Sequence, residues 1–183
     1  FDLATQAYSQ SKKDWPIPDD DFDIAFRIEP GNPVTVRISR NGLGAVTYTV
    51  DWGDGTAIST ETDVTITHDY SSAGVYIIKF KQVSGAAYVP SDLQYAFELT
   101  GVYANSNYNT STGKIQFQFK IALKFFAVPF GVFANVTDFN SNFRSCTSLK
   151  EFPLVDVSSG TNFSFAWQGC HSLRSFPALS FNS

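Results

Sequence analysis

Val50-Asp51-Trp52-Gly53-Asp54-Gly55-Thr56, answered further along by Thr67-His68-Asp69-Tyr70 and Gly74-Val75-Tyr76, decides how the first half of this chain folds. Tyr48-Thr49-Val50-Asp51-Trp52 alternates apolar and polar side chains, the period of a half-buried strand. Gly53-Asp54-Gly55 then supplies a tight turn: the glycines accept positive φ, and Asp54 can take backbone N–H groups across the bend. Val64 to Tyr70 alternates again, Ser71 to Gly74 turns the chain, and Val75 to Phe80 returns as a further strand.

Composition agrees with a β-rich reading. The 183 residues are a prior for one to two domains, and 43% hydrophobic against 16% charged side chains leaves enough apolar surface for a core. Eighteen Phe and eight Tyr, with no Met, suit packing by rigid rings. A net charge of −4, with no basic cluster beyond Lys12-Lys13, argues against nucleic acid as a main partner. No run of eighteen apolar residues is present, and the apolar stretch Ile121 to Val136 is broken by Lys124, Pro129 and Gly131. The sequence opens at Phe1, so a processed product or a fragment is expected, with any signal peptide already missing.

The C-terminal third repeats itself every 24 residues. Thr137-Asp138-Phe139, Phe143, Cys146-Thr147-Ser148-Leu149 and Phe152-Pro153 recur as Thr161-Asn162-Phe163, Trp167, Cys170-His171-Ser172-Leu173 and Phe176-Pro177. A fainter earlier copy sets Phe125, Val128, Pro129 and Phe130 where the next has Leu149, Phe152, Pro153 and Leu154. This period lies in the range of a leucine-rich-repeat solenoid, in which stacked coils bury what one coil cannot. The four-residue spacing of Phe139 and Phe143, and of Phe163 and Trp167, predicts a short helical turn on one side of each coil. The repeat core is Cys146, Leu149, Phe152 and Pro153 with Cys170, Leu173, Phe176 and Pro177. No polar cap is recognisable before Ser183, so continuation of the repeats, or cover from another chain, is expected.

Four segments follow. Residues 1–21 read as an extended arm, stiff at Trp15-Pro16-Ile17-Pro18, with Trp15 as possible partner anchor or the arm as mere linker. Residues 22–84 form the sandwich, 85–118 a connecting and capping segment, and 119–183 the repeats. In the connection, Leu93 to Val102 and Ile115 to Ile121 read as strands around a polar loop at 105–113.

Chemistry finds little purchase. Cys146 and Cys170 should stack in adjacent coils as buried thiols, since parallel side chains give poor disulfide geometry. Two Cys and two distant His make no structural zinc site. His171 adjoins Cys170 but points away from it, and His68 should bond the nearby turn, so neither reads as a catalytic base. Asp51, Asp54, Asp63, Asp69, Asp138, Glu151 and Asp156 each have a structural use or face solvent, which leaves no facing carboxylate pair. Asp51 and Asp54 are a low-probability calcium site, because no D-x-D-x-D-G loop is present. The N-x-S/T triplets at Asn109, Asn135 and Asn162 matter only in a eukaryotic secretory setting. No catalytic residue and no cofactor is expected.

The motif Trp52, Gly53, Asp54, Gly55 with His68, Tyr70, Gly74 and Tyr76 resembles the polycystic-kidney-disease (PKD) repeat, which implies an immunoglobulin-like β-sandwich over residues 22 to 84. The C-x-SL-x-x-FP core resembles BspA-type leucine-rich repeats over about residues 120 to 183. Together they look like surface proteins of bacteria and structural or fibre-associated proteins of phages. The resemblance implies a non-enzymatic structural and adhesion protein on a virion or cell surface, with the sandwich as spacer and the coils as contact face. Its partners would be other virion or surface-assembly proteins, or a host-surface protein or glycan, with no membrane insertion. The alternative is a carbohydrate-binding accessory module of a secreted polysaccharide-degrading enzyme, with Tyr88, Tyr95, Tyr103 and Tyr108 stacking on sugars or, alternatively, packing at the module junction.

Overall fold

The computed structural model describes residues 22–41, 44–85, 89–94, 98–105 and 117–181. The arm with Trp15, most of the polar loop, Tyr88, Tyr95, Tyr108 and Asn109 lie outside the described residues. The chain is mainly β. Strands β1 (Ile24–Ile28), β2 (Val34–Asn41), β3 (Val46–Asp51), β4 (Ser59–Glu61), β5 (Thr65–Tyr70), β6 (Tyr76–Gly85), β7 (Val89–Gln94), β8 (Leu99–Ala104) and β9 (Phe125–Ala127) precede one 3-10 turn at Phe130–Phe133.

Two sheets face each other as a sandwich. One has six strands in the order β4-β3-β6-β1-β8-β9, the other three in the order β5-β2-β7. The alternation read in the sequence places Val46, Tyr48 and Val50 inward along β3. They meet Phe26, Ile78 and Phe80 of their own sheet and Val36, Ile38, Ile66 and Tyr70 of the facing one in one core. Val50 opposes Phe80, and Phe26 opposes Ile78, in antiparallel register. Edge-to-face packing of Phe26 on Phe80, with centroids 5.6 Å apart, adds directional contact to that burial.

The sandwich does not stop at its own edge. β8, buried along its whole length, pairs antiparallel with β1 on one side and parallel with β9 on the other. β9 belongs to the first of three successive passes of chain, here called coils, that stack with their backbones in parallel. Phe117 and Phe119 donate backbone N–H bonds to the carbonyls of Asn142 and Arg144. Phe139, Ser141, Phe143 and Ser145 donate in turn to Asn162, Ser164, Ala166 and Gln168 at 2.7 to 3.0 Å. On the strand side, bridges join Asp138 to Asn162 and Glu151 to Ser175, again 24 residues apart.

Aromatic rings stack at equivalent positions inside. Phe117, Phe143 and Trp167 form one column with centroids 5.7 and 6.3 Å apart, and Phe126, Phe152 and Phe176 a second with 6.0 and 5.5 Å. Phe139 lies on Phe163 at 4.9 Å, within 8° of parallel. Sandwich residues and coil residues belong to one contiguous apolar cluster.

Three expectations need correction. The first coil stacks on the second at an offset of 26 residues, since Phe126, not Val128, lies on Phe152, and Leu123 takes the turn position of Leu149. Two additional residues between the coils displace the register read from the prolines. Residues 117–121 form turns, not a strand: Phe119 has φ 60°, incompatible with an extended run. The Phe139–Phe143 spacing is not helical either. Each short turn there is closed by an i−3 bond, such as Asn142 to Phe139, and broken by a left-handed residue, Ser141 at φ 57° and Ser145 at φ 60°. Leu93 to Val102 also divides, with β7 ending at Gln94 and β8 starting at Leu99.

Candidate functional site

The motif turn closes on itself. Gly53 and Gly55 take φ of 73° and 86°, the left-handed values the turn needs. Asp51 accepts the Gly53 N–H at 2.9 Å, and Asp54 accepts both the N–H and the hydroxyl of Thr56. The second Asp54 oxygen meets His68 Nε2 at 2.7 Å. His68 stacks on buried Trp52, Tyr70 packs its edge on His68, and the Tyr70 hydroxyl donates to the Trp52 carbonyl at 2.8 Å. Tyr76 packs on Tyr70 and donates to the Ser72 carbonyl, and the Tyr76 ring also fills the space beside Gly74.

The electrostatics match a structural lock. Burial alone would raise the Asp54 carboxyl, but the bonds from His68 and Thr56 outweigh it and hold the group at about 2. Burial pushes the Tyr70 phenol well above its ordinary value. Asp51 and Asp54 are thus both engaged within the turn and with His68, and among the described residues no group of three His, Cys, Asp or Glu side chains could hold a metal ion.

The other acidic candidates are dispersed. Asp69 takes the Thr35 hydroxyl across the β2–β5 pair, while Asp138 and Asp156 each accept the N–H two residues ahead. The Asp63 carbonyl accepts from Tyr48 and from the buried Arg40 guanidinium, which also reaches the carbonyls of Thr62 and Gly44. Arg40 thereby closes the loop after β4, a role nothing in the sequence pattern announced.

The two cysteines are free thiols, one per coil. Cys146 donates to the Phe117 carbonyl at 3.2 Å, and Cys170 to the Phe143 carbonyl at 3.0 Å, so each clips its coil to the one before. Burial, then the neighbouring Cys170, pushes the Cys146 thiol up to about 12. Burial raises Cys170 as well. Leu149 and Phe152 are buried beside Cys146, whereas their equivalents Leu173 and Phe176 are partly exposed, with Pro153 and Pro177 half-buried. Tyr103 is 2% exposed and packs on Phe22, so it cannot meet a sugar ring and takes the junction-packing role instead.

Two surfaces on the coils remain open. The first is the outer edge of the third coil. The N–H groups of Phe163, Phe165, Trp167 and Gly169 hold the positions through which the second coil donates to the third, and no described residue accepts from them. Beside them Phe176 is 44% and Phe181 52% exposed, and the buried Trp167 indole N–H has no acceptor among the described residues.

The second is a lateral face. The Arg144 guanidinium lies over the Phe119 ring at 5.9 Å and over the Phe165 ring at 5.8 Å, one phenyl from the coil on either side. Both phenyls are at least half exposed, and both residues have left-handed backbones. Among residues 117–181, five Lys and Arg stand against three Asp and Glu, so the coils are basic within an acidic chain. The signal was present in the sequence as Phe165 where the preceding repeat has Ser141, but it carries no meaning until the coils are stacked.

A scan against protein-family models matches none, and searches of the curated proteins and of the solved structures return no significant match.

Proposed function

We propose that this chain is a non-enzymatic structural and adhesion protein displayed on a virion or a bacterial surface. In this reading the PKD-like sandwich is a spacer and the coils, a short BspA-like leucine-rich-repeat solenoid, are the contact face. The observation that carries it is the outer edge of the third coil, where four backbone donors at alternate residues and a row of partly exposed rings await a polypeptide neighbour. Buried backbone donors without acceptors are costly, so such an edge favours assembly over isolation. The motif carboxylates support the same reading, because their hydrogen bonds are spent on holding the turn.

Immunogold labelling of the native source tests this. Label on particles or on the cell envelope is the expected result. A protein found only as free monomer, with no particle or envelope association, would overturn it.

A further inference from the structure

The lateral face of the coils is built in a way their fold does not require. The left-handed position occupied by Phe165 is held by Ser141 one coil earlier, and the position of Phe119 by Ser145 and then Gly169. Serine and glycine satisfy that backbone with little strain, whereas a bulky side chain there costs about 1–2 kcal/mol. Neither ring recovers that cost by full burial, since Phe119 is 50% and Phe165 58% exposed. What the two phenyls do together is hold Arg144 between them. Its guanidinium makes no ion pair and no hydrogen bond with any described residue. Its planar fork of N–H donors is therefore fixed in direction and chemically unspent.

We propose that Arg144, flanked by Phe119 and Phe165, is a recognition site for the carboxylate of an acidic sugar, a uronic or sialic acid residue of a surface glycan. The guanidinium pairs with the carboxylate in bidentate fashion, and charge-assisted bonds of this kind are the strong ones. The exposed phenyl faces pack on the C–H faces of the pyranose. The excess of basic over acidic side chains on the coils favours an anionic ligand on this face. A flat, shallow site of one cation and two rings suits repeated weak contacts on a polymer, with affinity gained through avidity. This inference rests on the adhesion reading and names the class of ligand that reading would engage.

The test measures binding of trigalacturonate and 3′-sialyllactose, with lactose as the neutral control and hexaglutamate as the peptide control, by NMR titration of the intact chain. The expected result is saturable binding of at least one acidic sugar, none of lactose, and perturbed signals at Phe119, Arg144 and Phe165. Arg144→Gln should weaken binding about tenfold or more, and Arg144→Lys nearly as much, because the ammonium cannot reproduce the fork. Phe165→Ser should also weaken binding while leaving thermal stability unchanged or raised, since it restores the residue found one coil earlier. That variant keeps the test decisive should Arg144→Gln disturb the fold. Absence of acidic-sugar binding, unchanged affinity in Arg144→Gln or Phe165→Ser, or tighter binding of hexaglutamate than of either sugar would overturn the proposal. Surface labelling in the native source is read independently, so loss of the glycan site leaves the display reading standing or falling on its own result.

Discussion

The indole of Trp52 lies flat against the imidazole of His68, with centroids 4.5 Å apart and planes within 10° of parallel. The same imidazole holds Asp54 of the turn, so one ring ties the end of β3, the turn after it and β5 into a single unit. His68→Ala should remove both the stack and the Asp54 bond and destabilise the sandwich by roughly 1–3 kcal/mol. Urea unfolding followed by Trp fluorescence would read this as a lowered midpoint with an unchanged slope.

Asp54 should also make stability depend on acid. Its folded value of about 2 lies below the roughly 3.9 of an unfolded aspartate, so the unfolded chain binds the proton first as pH falls. The contribution is fully present above about pH 5 and is lost towards pH 2. Asp54→Asn should be less stable than the native chain at neutral pH, with the gap closing across that window. A gap that stays constant from neutral pH down to acid would contradict the lock.

The two turn glycines should behave differently. Both have positive φ, but a Cβ on Gly53 would stand 2.5 Å from the Ile77 carbonyl oxygen, whereas one on Gly55 meets nothing within 4 Å. Gly55→Ala should cost about 1 kcal/mol, the left-handed penalty alone. Gly53→Ala should cost clearly more, roughly 2–4 kcal/mol, because backbone must move. Calorimetry of the two variants separates strain from collision.

Within the coils, position in the stack sets the value of a ring. Phe143 is fully buried between Phe117 and Trp167, and its replacement by Ala should cost about 3–5 kcal/mol. Phe176→Ala, at the partly exposed end of its column, should cost less than half of that. If both substitutions shift the melting temperature equally, the columns are not the source of coil stability.

The thiols offer a direct probe of order. With Cys146 buried and held at about 12, a disulfide-exchange reagent at pH 8 should leave it unmodified in the folded chain. Both thiols should titrate in denaturant. Fast modification of Cys146 under native conditions would mean that the coils open readily.

Much of the sandwich could be read from short-range pattern. The turn residues Gly53, Asp54 and Gly55 sit beside alternating strands, and each signal spans only a few residues. The coils were legible as a repeat but not in their first register. Phe125 and Phe126 adjoin each other, and the offset changes from 24 to 26, so the proline spacing selected the wrong ring. The alternation of Ile115 to Ile121 was taken for a strand because a two-residue period has a second origin. In the coils, alternate N–H groups point to the next coil while left-handed residues between them keep the chain turning. Side-chain pattern alone does not distinguish the two. The Arg144 face was unreadable for a related reason: its three residues lie 25 and 21 positions apart and meet only through stacking.

β8 has a consequence for how this chain can be divided. The strand is hydrogen-bonded to β1 on one flank and to β9 on the other, inside one continuous core. A cut placed between residues 105 and 117 would give neither half a finished edge: the N-terminal piece would bare β8 to solvent, and the C-terminal piece would begin on rings with nothing beneath them. The same continuity removes any pivot. A pull applied to the coils is carried into the sandwich through the parallel β8–β9 ladder, loaded in shear, and the two halves answer to force as a single bracket.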